Sequence, residues 1–322
     1  MCITFIARNG KYKFALLFNR DEFFHRLTYP LGFNYQKDHL YKDFLFFPLD
    51  CISGGTFLCL NVKNGNFAVL LNNNFKTIPY NPNAKLKRAD LPIDFCKGDL
   101  ADKDYYESFF KILEQNKMDY NGFNFLCGNM RTDELLYYTN NTENKNNNIF
   151  VENTVMTEPI ALSENLLGLC NAFYDDQDSI YACKVKYGKE KLEQILTSNA
   201  YETEKEFVSQ LFYFMQDDKK LICEDELPSD KHNLLKEGLK NTKLKEHLVS
   251  SIFVKDSLHN IFFEYGTRHT IIVILDYEGN LKIYEQCDEI EEPVENQEKK
   301  ILKISKRSEG NIKFHEFKLN QI

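Results

Sequence analysis

The sequence predicts an α+β fold with layered antiparallel sheets. Strand-like apolar runs lie towards both ends of the chain, and helical segments lie between them. The regular alternation of strands and helices that is typical of a parallel sheet is missing. With 43% apolar residues the chain can bury a full core. We find neither a linker nor an internal repeat, so we expect residues 1–322 to form a single domain.

Two β-hairpins open the predicted fold. Residues 2–7 and 12–18 are rich in β-branched and aromatic side chains, and Asn9-Gly10 between them is a strong hairpin signal. Residues 56–62 and 67–71 show the same arrangement around a turn that contains glycine. We expect these four segments to belong to the core of the sheets.

The middle and the end of the chain add helices and further strands. Apolar residues at helical spacing predict helices over 102–116, 179–198 and 203–216. Apolar or alternating runs predict the remaining strands, at 123–126, 134–139, 249–254, 269–275, 281–285 and 312–319.

Two polar insertions interrupt these elements. Residues 140–148 are rich in asparagine, which predicts a solvated loop. Residues 288–310 are first acidic and then basic, without helical or strand periodicity, and predict a charged insertion before the last strand. Neither segment indicates a chemical role.

Charge and cysteine content limit the class of protein. The 40 Lys and Arg residues against 48 Asp and Glu give a net charge of −8, which disfavours nucleic acid as a partner. No stretch reaches the roughly 18 apolar residues of a membrane-spanning helix. The nine cysteines follow no secretory signal, so we expect a reduced, cytoplasmic protein. The basic segment 1–20 resembles a mitochondrial targeting sequence, but it lacks serine and has the composition of strands.

The sequence contains none of the common metal-binding or cofactor-binding motifs. The seven histidines show none of the sequence spacings to His, Cys or Glu that predict a metal site. The nucleophile and nucleotide-binding motifs GxSxG, P-loop and GxGxxG are also missing. We therefore expect no metal site and no fixed prosthetic group.

Cys2 is the first candidate catalytic residue. If Met1 is removed, Cys2 carries both a thiol and a free α-amine. The unperturbed pKa values of these groups are about 8.5 and about 7.7–8.0, so the amine can accept the thiol proton, as in an N-terminal nucleophile. Alternatively, Cys2 is an apolar residue at the start of a strand.

Four polar residues, Asn19 to Glu22, follow the second predicted strand. The carboxylate of Asp21 can hold a nearby α-amine, and the amide of Asn19 can donate to an oxyanion. Arg20 and Glu22 are further candidate ligand-binding residues. The alternative is a solvated strand end with a local salt bridge.

Other candidates lie along the chain. Gly54 and Gly55 allow a close approach of the backbone to a ligand, although a plain turn explains them equally well. Asn171 follows an apolar run, and this position suits either an oxyanion donor or a strand cap. Arg268 stands at the mouth of a strand, where a guanidinium can clamp a carboxylate or phosphate, although a surface arginine is commoner there.

Seven short motifs, in order, resemble those of the NRDE family. They are Met1-Cys2-Ile3, Asn19-Arg20-Asp21-Glu22-Phe23, Gly54-Gly55-Thr56-Phe57-Leu58, Phe67-Ala68-Val69-Leu70 followed by Asn72, Tyr120-Asn121-Gly122-Phe123-Asn124, Gly168-Leu169-Cys170-Asn171-Ala172 and Tyr265-Gly266-Thr267-Arg268. The resemblance spans residues 1–286 and the last strand. Phe57 and Cys170 depart from the family pattern, which has Trp and Ser at these places.

The resemblance implies a four-layer αββα sandwich similar to that of N-terminal nucleophile hydrolases. It implies that Cys2 is the nucleophile and that Asp21 holds the amine of Cys2. Asn171 would be the oxyanion donor, and Arg268 a site arginine. Cysteine amidases of the bile-salt hydrolase type carry an arginine three residues before the aspartate, whereas this chain has Phe18. This departure is typical of a hydrolase scaffold that has lost its activity.

The family is associated with intracellular haem trafficking, with Golgi and membrane organisation, and with lipid or acyl-CoA handling. The resemblance therefore implies first a haem chaperone that takes haem from mitochondria or storage organelles, with transient contact with their membranes. The axial ligand would be Cys2, His25 or His269, and Arg20 or Arg268 would bind the propionates. A Cys2 amidohydrolase or thioesterase acting on an acyl or lipid substrate, and a membrane-traffic adaptor, stay open as alternatives.

Overall fold

The structure is a computed structural model in which two antiparallel sheets carry the fold. It describes residues 2–35, 40–73, 81–98, 102–140, 158–174, 181–198, 200–221, 251–255, 265–287, 289–291, 303–305 and 311–319. The helices are α1 Leu91–Lys97, α2 Lys103–Asn116, α3 Ala182–Thr197 and α4 Glu204–Met215. The strands are β1 Ile3–Arg8, β2 Phe14–Phe23, β3 Thr28–Gly32, β4 Leu45–Asp50, β5 Leu58–Asn61, β6 Asn66–Asn72, β7 Phe123–Asn129, β8 Glu134–Thr139, β9 Ile160–Ala161, β10 Leu166–Leu169, β11 Tyr265–Leu275, β12 Asn280–Cys287, β13 Glu289–Glu291, β14 Lys303–Ser305 and β15 Lys313–Lys318.

The strands divide into two large sheets and one small ribbon. Sheet I has the order β10-β1-β2-β11-β12-β15, and sheet II has the order β3-β4-β5-β6-β7-β8-β9. The ribbon β13-β14 lies within the predicted charged insertion at 288–310.

The two sheets pack face to face between two helical layers. In β2 the side chains of Phe14 and Phe18 join the apolar layer between the sheets, whereas Leu17 joins the apolar layer under α3 and α4. This alternation is the period of two that a strand imposes. On the far side of sheet II the ring of Phe95 in α1 packs 5.9 Å from that of Phe125 in β7. The predicted four-layer αββα sandwich is therefore confirmed.

The first hairpin differs from its prediction in detail. The second strand begins at Phe14 rather than at residue 12, because residues 9–13 form a longer loop in which Asn9 adopts a positive φ of 55°. The strand then continues to Phe23, along its pairing with β11. The alternative interpretation of 19–22 as a solvated strand end is therefore wrong for Asn19 to Asp21, which are buried inside the strand.

Two other predictions fall partly outside the described residues. The strand predicted at 249–254 is wrong for residues 251–254, which form no strand; the amide of Val254 instead donates to Thr267 Oγ1 at 2.8 Å. Of the predicted polar loop, only Asn140 is described. It is fully buried, and its side-chain oxygen accepts a hydrogen bond from the amide of Phe123 at 2.9 Å. Asn140, the residue directly after β8, is therefore part of the packed fold and not of a solvated loop.

Gly188 fixes the distance between α3 and β1. A Cβ atom built on Gly188 lies only 2.1 Å from the ring of Phe5, which is fully buried. Alanine normally stabilises a helix relative to glycine, but here the overpacking dominates. We expect Gly188→Ala to lower the free energy of unfolding by about 1–3 kcal/mol, measured by urea denaturation.

Gly10→Ala is the matched control for this substitution. A Cβ atom on Gly10 meets no atom within 4 Å, so we expect its unfolding free energy to stay close to that of the wild type. Equal stability of the two variants would contradict the close contact between α3 and β1.

Candidate functional site

The candidate site lies at the end of sheet I where β1 begins. The registers of β1 with β2 and with β10, continued to residue 2, place Cys2 opposite Arg20 on one side and Asn171 on the other. Cys2 is partly buried and packs against the apolar layer between the sheets. The strand pairing therefore brings together residues that lie far apart in the sequence.

The thiol of Cys2 has an environment that favours its neutral form. Burial raises the pKa of Cys2 above its usual value. The charge of Asp21 also raises this pKa. The charge of the N-terminal amine, the Asp21 backbone hydrogen bond and the charge of Arg20 lower it but do not outweigh burial. Since the thiolate is the reactive form of cysteine, this environment disfavours nucleophilic attack.

The carboxylate of Asp21 is held by β11. The hydroxyl of Thr267 donates to Asp21 Oδ1 at 2.5 Å, and the hydroxyl of Tyr265 donates to the backbone oxygen of Asp21 at 2.9 Å. Asp21 itself is only 4% exposed. Asp21 therefore ties β2 to β11 as well as lying beside Cys2.

Arg20 crosses the layer between the sheets. Its Nη2 donates to Asp50 Oδ2 at 2.7 Å, and its guanidinium carbon lies 5.0 Å from the centre of the Phe57 ring. Arg26 Nε donates to the same carboxylate oxygen at 2.7 Å. Arg20 Nη1 is buried and has no hydrogen-bond partner within the described part of the chain. Glu22 lies at the edge of this group, with its carboxylate 3.8 Å from Arg20 Nη2.

Asp50 joins this ion pair to the turn that contains Gly54 and Gly55. Burial opposes ionisation of Asp50, but hydrogen bonds from Arg26 and from the Ser53 amide, with the charge of Arg20, hold its pKa below the usual value. The sequence analysis did not single out Asp50. The available signal was its position between an apolar run and Ser53, because aspartate commonly binds the backbone of the turn that it opens.

Gly54 and Gly55 have structural roles in this turn. Gly54 has a φ of +72°, which a residue with a side chain adopts only with strain. A Cβ atom on Gly55 would lie 2.3 Å from the backbone oxygen of Ala89. The shape of the turn and its close packing therefore explain why glycine occupies both positions.

Phe18 lies in β2 three residues before Asp21, the position that the sequence analysis compared with an arginine of cysteine amidases. Its ring stacks on that of Phe57 at 5.2 Å with an interplanar angle of 14°. Phe57 in turn lies under Arg20, so two aromatic rings and one guanidinium fill the space between the sheets. Phe18 therefore adds an apolar ring, and no charge, to this layer.

Asn171 is held by residues of sheet II. Its Nδ2 donates to the backbone oxygen of Asn72 at 2.5 Å. The side chain of Asn72 is exposed. Asn124 Nδ2 donates to the backbone oxygens of Cys170 and Ala172 at 3.1 and 2.5 Å and fixes the segment around Asn171. The amide of Asn171 therefore serves a contact within the protein.

Arg268 orders the turn that follows β2. Its Nη1 donates to the backbone oxygens of Phe23, Phe24 and Arg26 at 3.0, 3.1 and 2.8 Å. His25 lies in the same turn, is exposed, and stacks on Phe23 with ring centres 5.3 Å apart. His25 thus stands apart from the buried residues around Cys2.

Asn19 and His269 are buried in opposite layers. Asn19 Nδ2 donates to the backbone oxygens of Met215 and Ile252 at 2.8 and 3.0 Å, which attaches β2 to the helical side. His269 lies between the sheets, where its Nδ1 is 2.9 Å from Glu285 Oε1. Burial lowers the pKa of His269, although Glu285 acts in the opposite direction. At 1% exposure, His269 offers no open face to a large ligand.

A groove of 750 Å³ lies between α1 and the β3–β4 pair. Gly54 is the one predicted site residue that lines it. Its other walls include Tyr29, Tyr35, Phe47, Leu49, Ile93 and Lys97. Sequence analysis missed these residues because they come from separate elements without a shared motif.

In the part of the chain that is described, no helix is long and apolar enough to span a membrane.

Comparison with known proteins adds to this geometry. A solved structure of the N-acylethanolamine-hydrolyzing acid amidase ortholog of Caenorhabditis elegans is similar over 65% of this chain and 85% of that chain, at 11% identity and a TM-score of 0.31. The Transport and Golgi organization protein 2 homolog of Bos taurus is 23% identical over 299 residues, which cover 89% of this chain and 92% of the relative. The family model for Transport and Golgi organisation 2 matches residues 1–288, and the chain therefore belongs to that family.

Proposed function

We propose that this protein is an intracellular haem carrier that takes haem from mitochondria or storage organelles and delivers it to haemoproteins. The observation that carries the proposal is the state of the predicted catalytic groups. Asp21 binds Thr267, Asn171 binds the backbone of Asn72, and Arg268 binds the turn after β2. Because these predicted catalytic groups already bind other parts of the protein, their arrangement favours a binding function over catalytic turnover.

The environment of Cys2 supports the same proposal. While Met1 is present, burial raises the pKa of Cys2 and keeps the thiol in its protonated, poorly nucleophilic form. Phe18, three residues before Asp21, stacks on Phe57 and supplies no arginine to the site.

The groove beside α1 supplies the surface that a carrier needs. Its volume of 750 Å³ lies within the range of about 300–1,000 Å³ that is usual for small-molecule sites. Aromatic walls suit a flat porphyrin, and the phenols of Tyr29 and Tyr35 offer a type of ligand that binds haem iron in other proteins. We place the haem of the proposal in this groove, and not against His25 or His269.

Lys97 is the cation that we assign to a propionate, beside the carboxylates of Asp90 and Asp94, which line the same groove. Its ammonium donates to Asp94 Oδ1 at 2.7 Å and lies 5.1 Å from the centre of the Tyr35 ring. Burial opposes the positive charge, but the hydrogen bond with Asp94 raises the pKa of Lys97 above its usual value. The ammonium therefore stays charged at the mouth of the groove.

One observation favours a second candidate function. Cys2, Asp21 and Asn171 meet at the same end of sheet I, as a Cys2 amidohydrolase or thioesterase for acyl or lipid substrates requires. This alternative needs removal of Met1. The third candidate, an adaptor in Golgi or membrane organisation, rests on the name of the bovine relative.

Haem loading and delivery test the proposed function directly. Purified protein should take up haem in a saturable manner and pass it to an apo-haemoprotein acceptor, followed by the absorption band of the acceptor. The control is a protein of similar net charge without the groove. Loading no greater than that of the control would contradict the carrier and give first place to the hydrolase.

Replacing the phenols tests the position of the haem. We expect Tyr29→Phe combined with Tyr35→Phe to weaken haem binding at least about tenfold, or about 1.4 kcal/mol, because the iron loses its axial ligand. Tyr213→Phe is the matched control, since this tyrosine is 76% exposed on α4. Unchanged affinity and an unchanged haem spectrum in the double variant would rule out ligation by these phenols.

Asp21→Asn separates the carrier from the hydrolase. A carrier should keep its haem affinity, whereas an N-terminal nucleophile held by this carboxylate should lose turnover of acyl substrates by a large factor. The mass of the N-terminal peptide and the acyl turnover of Cys2→Ser complete the comparison. Loss of haem transfer by a folded Asp21→Asn protein would contradict our division of roles.

A further inference from the structure

Three buried side chains with metal-binding atoms meet where β11 pairs with β12. His269 lies directly opposite Cys287, and Glu285 lies on the same face of β12 two residues earlier. One ligand atom from each of the three residues lies within 4.8 Å of the other two. The exposed fractions of His269, Cys287 and Glu285 are 1%, 3% and 0%. Strand pairing thus brings three buried side chains together in the layer between the sheets.

The carboxylate of Glu285 is already oriented. Its Oε1 lies 2.9 Å from His269 Nδ1, and its Oε2 accepts a hydrogen bond from the backbone amide of Leu31 in β3 at 2.8 Å. Zinc bonds of about 2.0–2.3 Å in a tetrahedron separate neighbouring ligand atoms by about 3.3–3.6 Å. The cluster reaches that geometry through side-chain movements of roughly 1 Å.

The donor set selects the type of metal. One imidazole nitrogen, one thiolate sulfur and one carboxylate oxygen suit Zn²⁺, whereas Ca²⁺ and Mg²⁺ require oxygen ligands. The thiolate of Cys287 and the carboxylate of Glu285 together carry two negative charges. A divalent cation neutralises both charges inside a layer where an unpaired charge is costly.

A candidate fourth ligand lies on the neighbouring strand, outside the three-residue cluster and diagonal to Glu285. His315 in β15 lies opposite Ile283, whose side chain belongs to the layer between the sheets. His315 Nε2 is buried and has no hydrogen-bond partner among the described residues. Its ring packs against that of Phe46 in sheet II, with centres 4.9 Å apart, so it faces the same layer as Glu285.

We propose that His269, Glu285 and Cys287 bind one zinc-class divalent cation, with His315 as the fourth ligand. The cation would attach β11, β12 and β15 of sheet I to one another and, through Glu285 and Leu31, to the edge of sheet II. Its role is structural, and it does not depend on the proposed haem carriage. The sequence prediction of no metal site considered spacing along the chain and not pairing across strands.

Cobalt binding to the full-length protein tests this proposal. Metal-free protein, prepared with a chelator, should take up one equivalent of Co²⁺ and show a sulfur-to-cobalt charge-transfer band in the near ultraviolet. Zn²⁺ should displace the cobalt and raise the melting temperature, because a ligand bound only by the folded state stabilises it. Absence of stoichiometric uptake would overturn the proposal.

Single substitutions identify the ligands. Cys287→Ser should abolish the charge-transfer band, whereas Cys127→Ser, a change at another fully buried cysteine in β7, should keep it. His315→Asn should weaken cobalt binding at least about tenfold, and His25→Ala, at an exposed histidine, should leave the affinity unchanged. A band that persists in Cys287→Ser would refute the site.

A measurement on the wild type covers the case in which Cys287→Ser does not fold. X-ray absorption of the zinc-loaded protein should show one sulfur at about 2.3 Å and three nitrogen or oxygen atoms at about 2.0–2.1 Å. A first shell without sulfur, or with two or more sulfurs, would overturn the assignment to these residues.

Discussion

The ion pair between Arg20 and Asp50 is the contact on which the arrangement around the candidate site depends. Arg20 belongs to sheet I and Asp50 to sheet II, so their 2.7 Å contact joins the two sheets through a buried layer. Burying two charges is expensive, and removing one partner of such a pair typically costs about 3–5 kcal/mol because the other charge is left unpaired. The pair therefore fixes how the two sheets meet at this end.

Arg20 and Arg268, which belong to two of the family motifs, join one connected network around this pair. Arg268 binds the backbone oxygen of Arg26, Arg26 binds Asp50, and Asp50 binds Arg20. Asp50 also accepts a hydrogen bond from the amide of Ser53 at 2.9 Å and so shapes the glycine turn that follows. Residues that look like catalytic candidates in the sequence thus hold the architecture, which is why their presence alone does not indicate hydrolysis.

Apolar patterning predicted the strands of the core but not where polar residues would be buried. The apolar runs at 12–18 and 269–275 were predicted as strands and lie in β2 and β11, although β2 begins only at Phe14. Residues 19–21 were expected to meet solvent, because the sequence does not reveal that β11 pairs with them and that Asp50 lies across the layer. β3 and β4 were missed since Pro30 and Pro48 interrupt them, and proline ordinarily argues against a strand.

The candidate site shows the same limit. Cys2, Asp21 and Asn171 were found through their motifs, and strand register brings them to one end of sheet I. Asp50 and the groove residues were not found, because each depends on packing between elements without a motif in common. The pair His269 and Glu285 is separated by 16 residues, a distance that only the register of a hairpin converts into contact.

β3 links the two proposed ligand sites. It is an edge strand of sheet II, and its register with β4 is irregular between Tyr29 and Gly32. Within that irregular stretch the amide of Leu31 donates to Glu285 of sheet I, while Tyr29 lines the groove. A cation that fixes Glu285 also fixes the backbone two residues from the groove. Because coupling between two binding equilibria is reciprocal, the factor by which the cation changes the affinity for a ligand at Tyr29 equals the factor by which that ligand changes the affinity for the cation.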